Sequence, residues 1–230
     1  MNKISIIIPM YNEVETIQSS LSYIERVISK NIDYEIIVVD GGSTDGSPEK
    51  IIPSETIRLI QSPKGRARQM NTGAQKATGN MLYFLHCDSF PPANFDLEIF
   101  KQFEKGNLAG CFRMKFDWNH PLLLISQWFT RFNHSSCRGG DQSLFISKEL
   151  FENINGFNEN YIIYEDNEII ERLYAKKQFV VIPNYLITSA RKYKQIGVWK
   201  LQYHFGVIHL KKKMGHSINS LQEYYNRNII

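Results

Sequence analysis

The sequence predicts an α/β fold, a mostly parallel central sheet flanked by helices, and three observations carry that prediction. Through the first half, short apolar runs rich in β-branched residues alternate with stretches of helical apolar spacing, the pattern of a parallel sheet covered on both faces. At 230 residues, 43% hydrophobic and 22% charged, the chain can bury one large core. No internal repeat, low-complexity tract or long linker divides it. The expected organisation is therefore one domain over residues 1–193, with a helical C-terminal extension over 194–230.

Ile4 to Ile8 reads as a first buried strand. Asn12 with Glu15 three residues on reads as a capping box, ahead of Ile17, Leu21, Ile24 and Ile28 at helical spacing. Ile36 to Val39 is the next strand, Ser47 to Ile52 a short helix, and Ile57 to Ile60 a strand. Gly65 to Ala77 then reads as helix and Met81 to Leu85 as strand. The second half is less regular. Helices are expected over Phe95 to Glu104, Pro121 to Phe132, Asp166 to Lys176 and Val198 to Met214, and strands over Ala109 to Phe116, Asp141 to Ile146 and Phe179 to Ile182.

Composition removes several classes. Cys87, Cys111 and Cys137 are odd in number and widely spaced, which excludes a disulfide framework and a CxxC zinc site and suits a reducing, cytoplasmic compartment. No apolar run nears the roughly 20 residues of a spanning helix, and Met1 to Lys3 leads straight into a strand-like run rather than a signal peptide. The net charge of +4 is unevenly placed. Of 27 basic side chains eight lie between Ala190 and Ile230, against Glu223 alone of the 23 acids. An anionic partner met at the C-terminus would suit that imbalance; nucleic acid is not the partner expected.

In such sheets ligands sit at the carboxyl ends of the strands. Three consecutive strand ends carry carboxylates here: Glu13, then Asp40 and Asp45, then Asp88. Asp40 and Asp45 also suit turn and cap positions, but gathered on one edge these acids repel one another unless they bind something. Acids there can accept from base or ribose donors or hold a divalent metal. No GxGxxG follows the first strand, no lysine completes a phosphate loop after Gly46, and Gly41 stands where a calcium loop needs its first acid.

Ser5 to Glu13 (SIIIPMYNE), followed by Val38 to Gly46 (VVDGGSTDG), resembles the family 2 glycosyltransferases of the nucleotide-diphospho-sugar transferase fold. Gly65 to Gly73 (GRARQMNTG), Phe84 to Asp88 (FLHCD), Gly140-Asp141-Gln142 and Glu165-Asp166 extend the resemblance in order to about Tyr193. It implies a GT-A-like domain that moves a sugar from a nucleotide-diphospho-sugar, with UDP-sugar the expected donor, to an acceptor hydroxyl, inverting the anomeric centre. Pro9, Tyr11, Glu13 and Asp40 match the base and ribose pocket. Arg66 and Arg68, near a helix start, suit phosphate oxygens, although a solvated helix face would also hold them. Asp88 matches the last carboxylate of the family's Asp-x-Asp metal motif. His86 stands in place of the first and favours Mn²⁺ over Mg²⁺ if it ligates rather than packs. Gly41 replaces the second Asp of the common Asp-Asp-Gly-Ser form. Asp166 matches the catalytic base, where a helix N-terminus favours the ionised carboxylate; Glu165 is the adjacent alternative, and a plain capping role is the other. Asp141 and Gln142 match a sugar- or acceptor-side segment, and Arg191 a loop closing over the diphosphate.

The last predicted helix sets Val198, Leu201, Phe205 and Ile208 on one side, near Trp199, Tyr203 and Lys211-Lys212-Lys213. Packing on the domain is the plainer expectation. Docking on the inner face of a membrane would suit a lipid-linked acceptor. Two rivals remain. A nucleotidyltransferase would need a Gly/Lys-rich N-terminal loop, which Pro9 to Glu13 is not, and a catalytically inactive sugar-nucleotide-binding or membrane-adaptor protein would fit Gly41 and His86 but not Asp88 with Asp166.

Overall fold

The structure, a computed structural model, describes residues 2–139 and 142–229. Its first strands are β1 (Lys3–Met10), β2 (Asp33–Asp40), β3 (Ile57–Gln61) and β4 (Met81–Phe84), interleaved with helices α1 (Ile17–Val27) and α2 (Arg66–Lys76). They pair parallel in the order β3-β2-β1-β4, with Met10 opposite Asp40 and Ile7 opposite Phe84. The carboxyl ends of β1 and β2 therefore finish level. Ile4, Ile6, Ile8 and Met10 enter the core on one face, and Ile7 the core on the other. Burial on both sides is why this strand reads as a continuous apolar run rather than an alternating one.

Beyond β4 the sheet turns mixed. The elements are β5 (Ser89–Phe90), α3 (Phe95–Glu104), β6 (Ala109–Phe116), α4 (Pro121–Phe129), β7 (Leu144–Ser147), α5 (Lys148–Asn153), α6 (Glu165–Ala175), β8 (Val180–Thr188), α7 (Arg191–Ile196), α8 (Val198–Lys213) and α9 (Ile218–Asn228). β7 pairs antiparallel with β4 and β6, β8 parallel with β6, and β5 antiparallel with β8. The first core lies under α1 and α3, and the second under α2, α5 and α6. A third joins the end of β6 to α4, α7, α8 and α9 through Phe116, Leu123, Tyr193, Leu201, Ile208 and Leu221. The apolar side expected of the last long helix thus packs on the domain. α2 approaches the sheet so closely that a Cβ on Gly73 would stand 2.5 Å from Ile7 Cγ2, which only glycine allows at that crossing.

Several boundaries differ from the sequence reading for visible reasons. Asn12 caps no helix. Its backbone is left-handed (φ 55°), its N–H donates to Ser43 Oγ and its Oδ1 accepts from Thr44 N–H, so it ties two strand-end loops together while α1 begins after Thr16. The Ser47 to Ile52 helix shrinks to a single 3₁₀ turn, Pro48–Lys50. α4 stops at Phe129, because the Thr130 hydroxyl bonds back to Gln127 O and accepts from Met114 N–H on β6. β8 runs on past Ile182, since Pro183 and Asn184 are accommodated where the register with β6 shifts between Phe112 and Arg113. The strand expected over Asp141 to Ile146 is Leu144–Ser147, with Asp141 itself outside the described residues.

Candidate active site

The carboxyl ends of β1, β2 and β4 carry the predicted residues to one place. Met10 is followed by Tyr11, whose ring is half-exposed and carries Lys64 Nζ 3.8 Å from its centroid. Pro9 O accepts from the Cys87 thiol at 3.5 Å, which stitches the end of β1 to the loop after β4. Glu13 receives the Arg191 guanidinium at 3.0 and 3.2 Å, while its other partner, the Thr16 hydroxyl, lies 2.6 Å away. Arg191 opens a short helix, α7, rather than lying in a mobile loop as expected. Its approach is fixed by Ser189 N–H on Asp88 O and by Ala190 N–H on Asp117 Oδ1.

Asp40 is almost fully buried at the end of β2 and accepts from Gly42 N–H, Ser43 N–H and the Ser43 hydroxyl. Asp45 likewise accepts from Val14 N–H, Ser47 N–H and the Ser47 hydroxyl. Both carboxylates thus do the turn-forming work that Asx chemistry favours. The four lone-pair sites of Asp40 also leave room for a further donor.

The second half of the cluster centres on the start of α6. Glu165 and Asp166 are both buried there. Arg66, the first residue of α2, reaches Glu165 Oε1 at 3.3 Å and Asp166 Oδ2 at 3.6 Å, and His86 Nε2 lies 4.0 Å from the same Asp166 oxygen. Arg68 points elsewhere: two residues further round the helix, it contacts Glu159 at 3.8 Å on the exposed side. Gln142 is also apart from this cluster, buried with its amide oxygen accepting from Cys111.

Burial pushes the Cys87 thiol far up, Glu13 and Asp88 push it further, and Arg66 and Arg191 pull against them. The thiol therefore stays protonated and is no nucleophile. Arg191 is in turn held above its ordinary value, chiefly by its hydrogen bond to Glu13, with Asp88 adding to the effect.

Sequence reasoning missed three contributors. Lys64 is one, and only its place in the basic run Lys64-Gly65-Arg66 hinted at it. Gln69 is the second: its amide donates to Met10 O at 2.7 Å and to Val39 O at 2.8 Å, clamping the two strand ends together. A Cβ on Gly41 would meet that amide at 2.9 Å, so the glycine and the glutamine occupy the space between them. Tyr164 is the third. It precedes Glu165 in a left-handed conformation (φ 74°), costly for an aromatic residue. Its hydroxyl donates to Glu171 at 3.1 Å and faces His209 Nδ1 of α8 at 3.2 Å. That pairing calls for the Nδ1–H tautomer of His209, whose pKa burial lowers.

Among the described residues no group of three or more His, Cys, Asp or Glu side chains gathers as a self-contained metal cage. Mg²⁺ and Mn²⁺ at phosphate-transfer sites commonly use one or two carboxylates and take the rest from substrate phosphates and water. Asp88, with His86 beside it in the same loop, is a donor set of that kind.

The family described as glycosyl transferase family 2 matches residues 5–154, and that described as the N-terminal domain of galactosyltransferase matches 119–196. Glycosyltransferase AglE of Haloferax volcanii is 35% identical over 94 residues, 38% of this chain and 31% of that protein. The dolichol-phosphate mannosyltransferase of Pyrococcus furiosus is 29% identical over 111 residues, 46% of this chain and likewise 31% of its own length. The chain thus spans about a third of these curated relatives. In three dimensions, the mannosyltransferase PcManGT of Pyrobaculum calidifontis, in complex with GDP-Man and Mn²⁺, matches with a TM-score of 0.71 at 19% identity, over 96% of this chain and 69% of that one. Residues 1–349 of S. aureus TarS with UDP match at 0.63 and 17% identity, over 81% and 60%. With the family pattern running through β1, β2, α2 and β4, the strands and helix that build the site, this chain belongs to glycosyl transferase family 2.

Proposed function

We propose that the chain transfers a sugar from a nucleotide-diphospho-sugar, UDP-sugar first, to an acceptor hydroxyl with inversion, using a divalent cation. The observation that carries this reading is the joining of two charge clusters at one sheet edge: Glu13 with Arg191, and Arg66 and His86 with Glu165 and Asp166. A diphosphate leaving group needs cations, and an attacking hydroxyl needs a base; both lie within this edge. The fold likeness to a protein bound to GDP-Man and Mn²⁺, and to another bound to UDP, supports a nucleotide-sugar donor.

In this reading the nucleoside lies against Pro9, Tyr11 and the Asp40 turn, with an Asp40 oxygen accepting an N–H of the base. Arg66 and Arg191 neutralise the diphosphate. Asp166 takes the acceptor's hydroxyl proton as that oxygen bonds to the anomeric carbon. The glycosidic bond breaks in the same displacement, and its electron pair leaves on the diphosphate. Asp88 and His86 would hold the cation, which supplies charge to stabilise the departing diphosphate. Only the family resemblance assigns Asp141 to a sugar- or acceptor-side segment, and Gln142, buried against Cys111, has no part in this reading. The acceptor favoured is lipid-linked, which would place the enzyme at a cytoplasmic membrane surface.

The test is turnover with a panel of UDP- and GDP-sugars by wild type and Asp166→Asn. Loss of turnover by about 10²-fold or more with nucleotide affinity retained is expected. Unchanged turnover would remove Asp166 as the base, and absence of turnover and nucleotide binding in the wild type would remove the reading.

A further inference from the structure

Helix α4 has one buried residue, Leu123, and turns most of its surface to solvent. Leu124, Ile125, Trp128 and Phe129 repeat along that outer face, and Phe132 follows them. Trp128 and Phe129 are each 47% exposed, yet their rings contact one another at 5.2 Å, and Trp128 contacts Phe132 at 5.0 Å. A contiguous exposed aromatic cluster of this kind marks an interaction surface. Arg131 stacks its guanidinium 4.8 Å from the Trp128 ring.

Helix α8, joined to α4 through the third core, repeats the arrangement. Its inner line, Val198, Leu201 and Ile208, is buried. Trp199 (72% exposed), Tyr203, Leu210 (58%) and Met214 form a second apolar line on the opposite side, spaced four, seven and four residues apart. Lys200 and Lys213 flank it, and among the described residues neither has an acid within 4.0 Å. No helix among the described residues is long and apolar enough to cross a membrane.

We propose that α4 and α8 together seat this chain on an anionic lipid bilayer, with the α4 aromatics and the outer line of α8 entering the interface and Arg131, Lys200 and Lys213 meeting lipid phosphates. Two features favour lipid over a second copy of the chain. Both faces carry like charges, and residues 190–230 hold eight basic side chains against one acid, so an isologous pair would bring cation against cation. Aromatic residues beside lysine and arginine also match the composition of an interfacial helix. The surface rests on the membrane placement in the proposed function, but vesicle binding is measured without turnover, so its failure leaves the sugar-transfer reading standing.

The experiment is co-sedimentation of the full chain with phosphatidylcholine vesicles, with and without phosphatidylglycerol, at low and high salt, alongside its sedimentation equilibrium in solution. Binding to the anionic vesicles about tenfold tighter than to neutral ones, and weakened by salt, is expected. Trp128→Ser with Phe129→Ser should weaken binding about tenfold, and Lys200→Glu with Lys213→Glu should remove the anionic preference; all four positions are exposed, and circular dichroism confirms the fold. Three results would overturn the proposal: no vesicle binding, vesicle binding indifferent to both variants, or a dimer in solution that Trp128→Ser with Phe129→Ser dissociates.

Discussion

At Gly41 the family's usual second acid is missing, and the space it would need is filled by the Gln69 amide, clamped to Met10 O and Val39 O. Putting a side chain there must displace a buried amide whose nitrogen makes two hydrogen bonds. Gly41→Asp should therefore destabilise the chain by about 1–3 kcal/mol in a denaturant titration. Gln69→Ala should cost a similar amount, about 1–3 kcal/mol, by removing two buried hydrogen bonds, to Met10 O, which keeps only Gly41 N–H, and to Val39 O. Gly41→Asp with Gln69→Ala should be less destabilised than the two separate losses added; strict additivity would show that the residues do not share the site. Arg191→Ala tests the other half of the edge. Removing the cation paired with Glu13 should weaken nucleoside diphosphate binding about tenfold while leaving thermal stability nearly unchanged, because this half-exposed pair contributes little to folding. At this scale the sequence made Asp40, Asp88, Asp166, Glu13 and Arg191 legible through motif position. Gln69 and Lys64 were hidden because their work is spatial: one bridges two strands and the other covers a ring.

Among the elements, the two ends of the parallel strands are differently built. The amino ends are fastened by buried Glu35, which accepts from the Ser5 hydroxyl, Thr78 N–H and hydroxyl, and Arg58. Burial alone would raise its pKa, but the bonds from Ser5 and Thr78 and the charge of Arg58 outweigh it and hold Glu35 below its ordinary 4.5. A depressed carboxylate stabilises the fold above the unfolded value, and that contribution fades as pH falls through the lower folded value. Glu35→Gln should thus lose about 3 kcal/mol near neutrality and show a shallower loss of stability below pH 4.5 than wild type. A parallel loss in both proteins would contradict this. At the carboxyl end, the left-handed Tyr164 ties the start of α6 to α8. Tyr164→Phe keeps the ring but drops the bonds to Glu171 and His209; turnover should fall about tenfold with donor KM nearly unchanged. Equal changes in both would make the latch a general packing contact. Long elements with clear apolar periods, β1, α2 and α3, were legible in the sequence. The six-residue α5 and α7 and the two-residue β5 were too short to show a period, and α9 was passed over although Ser217 caps it.

For the whole molecule, strand–helix alternation announced the parallel half because each strand there is buried on both faces. It did not announce the antiparallel insertion of β7 between β4 and β6, since pairing partners far apart in sequence leave no local mark. Yet this mixed half delivers α6 and α7, with Asp166 and Arg191, to the edge that β1, β2 and β4 prepare. In the proposed function this edge binds a nucleoside diphosphate. Its most direct test is calorimetric titration of UDP and GDP, each with and without Mn²⁺, into wild type and Asp88→Ala. Metal-dependent binding of one nucleotide, UDP before GDP, that Asp88→Ala abolishes is expected. Well-folded wild-type protein that binds neither nucleotide under either condition would contradict it.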